Sequence, residues 1–160
     1  MYPLLAGHRV SSGVQVDQDV IDAFKKIKSK KSHAYVVMKI EDKKKIVVEK
    51  KGSKLPPNCS QTRNEEIFNE MKNSLGEEPR YIVFDFCFTR SNQTVSQPKL
   101  TFISWCKDDC CGQDKLIHAS SKQALKAELS GLNTPEFQCS ELSELSFSEI
   151  TKDLQKRDRV

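Results

Sequence analysis

The chain has 160 residues, 30% of them charged, and a formal net charge of +4. That length suits one domain around one core, and the mild mixture of both signs lacks the concentrated basic footprint of a nucleic-acid binder. No apolar run approaches the roughly 20 residues that span a bilayer, and Met1 to Val10 lacks the basic-then-apolar order of a secretory leader.

Residues 1–11 read as a flexible extension, 12–157 as one domain and 158–160 as a tail. A first helix is predicted from about Asp17 to Lys28, with Asp17 as N-cap and Val20, Ile21, Phe24 and Ile27 at helical spacing. The basic run Lys25 to Lys31 closes it, where cations suit the helix dipole. This run reads as a solvated helix end before it reads as a nuclear-import signal.

Ala34 to Ile40 and Lys45 to Glu49 are predicted as a hairpin, and Asn64 to Leu75 as a second helix with Gly76 past its end. Arg80 to Thr89 is apolar on both faces, as befits a central strand covered on both sides. Lys99 to Trp105 returns beside it. A long helix from about Asp114 to Leu132, a short strand near Phe137 to Cys139 and a last helix from Phe147 to Lys156 complete the chain. Two hairpins plus a helical crossover give an α+β fold: a mixed sheet of about five strands with helices on both faces.

Six cysteines are present, and in a chain with strands enough for a core they read as reduced thiols. Cys106, Cys110 and Cys111, with His118 nearby, raise the thought of zinc. Structural zinc sites use two separated ligand pairs, so the reading is no metal and no cofactor. Redox sensitivity of the adjacent Cys110-Cys111 pair is preferred. Asp85, between Phe84 and Phe86, needs a partner or a raised pKa. A structural hydrogen-bonding role is preferred for it, since no second carboxylate or histidine converges on it in the sequence. There is no Gly-rich phosphate loop, zinc-protease helix or supported Cys–His pair, which favours a binding protein over an enzyme.

Four segments share one resemblance. They are Ser12-Gly13-Val14-Gln15-Val16, Arg80-Tyr81 followed by Asp85, Phe102-Ile103-Ser104-Trp105, and Lys115-Leu116-Ile117-His118-Ala119-Ser120-Ser121-Lys122 continuing to Leu129 and Gly131. In order and separation they resemble the actin-depolymerising factor (ADF)/cofilin family. The resemblance implies the ADF-homology (gelsolin-like) fold and binding to G-actin and F-actin, with the ADP form preferred. It also implies filament depolymerisation and severing, a monomeric protein of the cytoplasm and cytoskeleton with the nucleus left open, and phosphoinositides as further ligands.

Site residues follow by the same resemblance. The monomer surface would comprise Ser12, Gly13, Val14, Lys115, Leu116, Ile117, Ser121, Lys122 and Lys126. The filament surface would comprise Lys99, Lys152, Lys156 and Arg157, and Ser12 matches the family's regulatory phosphoserine. Leu116 matches the apolar residue that enters actin's cleft. Gln113, Gln97 and Asp153 stand where family members carry basic residues, which points to monomer binding ahead of efficient severing. A glia-maturation-factor-like binder of the Arp2/3 complex and a purely monomer-sequestering relative stay open as alternatives.

On an ideal helix Lys115, Lys122 and Lys126 share a narrow stripe, because spacings of seven and four return to one face. Ile117, Ala124 and Leu132 lie opposite, with Leu125 at the margin. The plain reading of that pattern is an amphipathic helix with a solvated lysine face. The resemblance turns the lysines into contacts with acidic actin, where they would steer association. Glu128 falls toward the apolar side, so Ser120-Ser121 is expected to bend the helix and reset its register.

Overall fold

The computed structural model describes residues 13–89, 96–129 and 135–157. The expected extension 1–11, Ser12 and the tail 158–160 lie outside them, as does Leu132.

After a two-residue strand β1 (Gln15–Val16) come α1 (Gln18–Lys30), β2 (Tyr35–Glu41), β3 (Lys45–Lys51) and α2 (Gln61–Asn73). Then follow β4 (Arg80–Thr89), β5 (Ser96–Trp105), α3 (Gly112–Glu128), β6 (Glu136–Cys139) and α4 (Phe147–Arg157). The strands form one mixed sheet in the order β1-β3-β2-β4-β5-β6. Among the described residues it has six strands, one more than the expected five or so. β1 is too short to carry an alternating pattern, and tertiary pairing makes it: Gln15 and Val16 lie parallel to Lys45 and Ile46. The Gln15 amide donates to the Lys44 carbonyl at 2.8 Å and the Asp17 amide to that of Ile46 at 2.9 Å.

β4 is central, antiparallel to β2 and, along its whole length, to β5. Its alternate side chains enter two cores. Ile82, Phe84, Phe86 and Phe88 join Ile67, Phe68 and Met71 of α2 and Ile150 and Leu154 of α4. Tyr81 and Val83 join Val20, Phe24 and Ile27 of α1 and Leu125 of α3 on the other side. A strand buried on both faces is apolar along most of its length, here with Asp85 as the exception, which is why its sequence is so legible.

α1 begins after Asp17, as expected, but the Asp17 carboxylate caps no amide; it faces Lys45 Nζ at 3.6 Å. The helix ends where Lys31 turns left-handed at φ 52°, its amide bonding to the Lys26 carbonyl. The N-cap position of α3 lies three residues before Asp114. Cys111 holds that position, and Asp114 lies in the first turn, where its charge still suits the dipole. The parallel pairing of β5 with β6 bears out α3 as the crossover.

Candidate protein-binding surface

α3 rests on the sheet through His118, Ser121 and Leu125, with Leu129 continuing the row just past its end. Leu116 is nine residues before Leu125, about 180° away around a helix, and is 68% exposed. Gln113, Ser120, Gln123 and Ala127 flank it on the solvent side. The result is an outward ridge of small and polar side chains crowned by one leucine.

The buried face is thus rotated from the expected one. Ile117 and Ala124 are half-buried at its margin, and Leu125 is at its centre. The cause is a polar network that hydropathy does not register. The His118 ring stacks on Tyr81 with centroids 4.1 Å apart, and its Nε2 lies 2.8 Å from Ser104 Oγ. The Tyr81 hydroxyl donates to the His118 carbonyl at 2.5 Å, and Ser121 also bonds to Tyr81. Burial, with Lys122 and Arg80 adding repulsion, pulls His118 down to about 4, so it is neutral. With the face rotated, Glu128 is exposed and no bend is needed to place it.

The three lysines do not stand opposite the core. Lys122 and Lys126 lie along the flank of α3 that meets β6. There the Glu136 carboxylate receives Lys122 Nζ at 2.7 Å on one oxygen and Lys126 Nζ at 2.5 Å on the other. Burial alone would raise the pKa of Glu136, but the two ammonium partners outweigh it and bring it to about 2. Lys115 Nζ donates to the Asp108 carbonyl in the preceding loop.

β1 packs against α3, which brings the start of the described chain to this face. Gly13 is exposed and adopts φ 84°, a conformation that glycine tolerates and other residues resist. Val14 is 6% exposed within the α1/α3 core, and Ser121 is fully buried. Both of these expected contact residues turn their side chains inward. Gln113 accepts a hydrogen bond from Lys43 of the β2–β3 turn at 3.0 Å.

The loop before α3 carries Cys106 and Cys110, half-buried, and Cys111, exposed; all three are free thiols. Among the described residues no group of three or more His, Cys, Asp or Glu side chains could hold a metal ion. The thiol in contact with Cys110 is Cys106, and burial with that neighbour pushes Cys106 up to about 11. This is the reverse of an activated thiolate.

On the opposite side of the sheet, α4 exposes Lys152, Lys156 and Arg157. Lys152 faces Glu149 at 3.4 Å; Arg157 binds Asp153 at 2.8 Å and lies over the Phe137 ring, 4.9 Å from its centroid. Gln155 donates to the Thr89 carbonyl at 2.8 Å, tying the end of α4 to the end of β4. Lys99 is half-buried on β5 beside Phe86. Asp85 is fully buried. Burial raises its pKa against the pull of Lys31, whose Nζ is 3.2 Å from Oδ2, while Oδ1 has no hydrogen-bond partner. Its structural role is therefore half-satisfied rather than complete.

The sequence model of the cofilin/tropomyosin-type actin-binding proteins matches residues 13–155. The chain belongs to this family. It is 35% identical to the cofilin of Gibberella zeae, covering 91% of this chain and 95% of that one. It is 32% identical to actin-depolymerizing factor 2, isoform c, of Caenorhabditis elegans, covering 94% and 100%. Among solved structures, actin depolymerization factor 2 of Plasmodium berghei superposes with a TM-score of 0.78 at 26% identity, covering 92% and 99%. ADF/cofilin of Trypanosoma brucei does so with a TM-score of 0.68 at 28% identity, covering 92% and 98%.

Within this family fold, sequence reasoning found the helix, its exposed leucine and its lysines, and missed Glu136. A signal was there: an acid opening a strand directly after a lysine-bearing crossover helix. Which lysines it would meet depends on how α3 is rotated, and that is set by His118 and Ser121.

Proposed function

We propose that this protein binds monomeric and filamentous actin, prefers the ADP form, and promotes filament depolymerisation and severing. The α3 ridge and the segment around Gly13 contact one actin subunit. Lys99 with the outer face of α4 contacts the next. The mechanism is binding without bond chemistry: preference for one filament state shifts the population toward it.

The observation that carries this reading is Leu116, a large apolar side chain left 68% exposed at the crest of α3 in a member of an actin-binding family. An exposed apolar anchor amid small polar neighbours is the pattern of an interface hot spot. Monomer binding is expected to exceed severing, because Lys152 and Arg157 already have acidic partners on their own helix. Phosphorylation of Ser12, the residue before Gly13 in the chain, would add about −1.5 to −2 charges and weaken the approach to an acidic partner.

The test is co-sedimentation with filamentous actin together with monomer binding, for the wild type and Leu116→Ala. The wild type is expected to bind and to release actin into the supernatant. Leu116→Ala should lose about tenfold or more in affinity while keeping its melting temperature. Full affinity in Leu116→Ala would remove α3 from the interface.

A further inference from the structure

We propose that Glu136 is a positioning residue that restrains the charge of α3: by holding both Lys122 and Lys126 against the sheet edge, it limits the helix's electrostatic pull on an acidic partner. The proposal rests on the reading of α3 as the actin-facing helix.

The two lysines are one helical turn apart, so their ammonium groups reach the same side of α3. β6 is the outermost strand of the sheet on that side, and Glu136 is its first residue, in register with Phe102 of β5. Each Glu136 oxygen takes one ammonium, at 2.7 and 2.5 Å. The side chains are only partly exposed: 13% for Lys122, 32% for Lys126 and 21% for Glu136.

A carboxylate held between two ammonium groups leaves that cluster with a net charge of +1 instead of +2. Partial burial also shields the pairs from salt that would dissolve a surface ion pair. Both lysines are therefore drawn toward β6 and away from the Leu116 crest. Electrostatic complementarity acts chiefly on association rate and on its salt dependence. Freeing the lysines should raise the first and steepen the second.

Two measurements on the full chain test this. The first needs no actin: brief acylation of amines with acetic anhydride, read by mass spectrometry. In the wild type, Lys122 should react several-fold more slowly than Lys152, whose side chain is 69% exposed. Glu136→Gln should speed Lys122 and Lys126 and leave Lys152 unchanged.

The second measures association with actin monomers across ionic strength. Glu136→Gln should associate about threefold faster at low salt, with the advantage fading as salt rises. In a Lys122→Met/Lys126→Met background, adding Glu136→Gln should change nothing, a result that a general effect on folding would not give. Unchanged acylation of Lys122 in Glu136→Gln would overturn the clamp. Faster acylation with unchanged or slower association would overturn the restraining role. Failure of the folded wild type to bind actin, with Lys122 still protected, would instead overturn the actin reading and this role with it, while the ion pairs stood.

Discussion

Two of the lysine-bearing helices, α3 and α4, lie on opposite faces of the sheet and solve the same packing problem differently. α4 buries Phe147, Ile150, Thr151 and Leu154, and its charges pair with neighbours one turn away on the same helix. α3 buries a histidine and a serine beside one leucine, and its charges pair across to a strand. Periodicity alone describes α4, because its inward residues are mostly apolar and its ion pairs are local. α3 needs the rest of the molecule: Tyr81 and Ser104 decide that His118 points inward, and Glu136 decides where two lysines lie.

The leucines of α3 test this contrast most severely. Leu125 is fully buried in the α1/α3 core, so Leu125→Ala should cost about 2–5 kcal/mol through lost contacts and the cavity left behind. Leu154→Ala should cost a similar amount on α4. Leu116→Ala should cost less than about 0.5 kcal/mol. Urea denaturation of the three variants measures all of this. A large loss for Leu116→Ala would mean that the ridge is part of the core after all.

Acidification should separate the helices next. Unfolded, His118 titrates near its ordinary 6.5; folded, it titrates near 4, chiefly because burial opposes the charged ring. Between those pH values the unfolded chain takes up the proton and the folded one does not. Stability is therefore intact above pH 6.5 and falls as pH drops toward 4, by about 3 kcal/mol in all. Glu136 adds a further loss, but lower, between its ordinary 4.5 and about 2. Denaturation midpoints between pH 7 and 4 should thus decline in the wild type and decline much less in His118→Gln. A slope that survives in His118→Gln would assign the effect to other groups.

Much of the fold could be read from the sequence, for reasons tied to particular residues. Arg80 to Thr89 announced a strand covered on both faces, and both its ends match the structure. The exposure of Leu116 followed from the resemblance rather than from periodicity, which could not say which side of α3 was out. β1 went unread because two residues carry no period and its partner, Lys45–Ile46, is about thirty positions away. Val14 and Ser121 belong to the expected contact set, yet both turn inward, because sequence similarity marks a position as part of a contact region without saying which way its side chain turns. Asp85 needed a partner, and Lys31 is 54 positions away across the end of α1.

The smallest expected effect is also the most discriminating for the charges. Lys122 and Lys152 are the same residue type on helix surfaces, each with a glutamate partner. Lys152–Glu149 is exposed, with side chains 69% and 63% accessible, and spans one turn of one helix. Such pairs contribute little, because water screens them and two long side chains lose entropy to form them. Lys122–Glu136 joins a helix to the strand that follows it, is largely shielded and shares its carboxylate with Lys126. Lys122→Met should therefore cost up to about 1 kcal/mol and Lys152→Met less than about 0.3 kcal/mol, with only the first varying little between 0.05 and 0.5 M salt. Equal losses, or a strong salt dependence for Lys122→Met, would mean that the α3 lysines behave as solvated side chains. The rotation of α3 would then account for Leu116, while Glu136 would have no hold on the charge beside it.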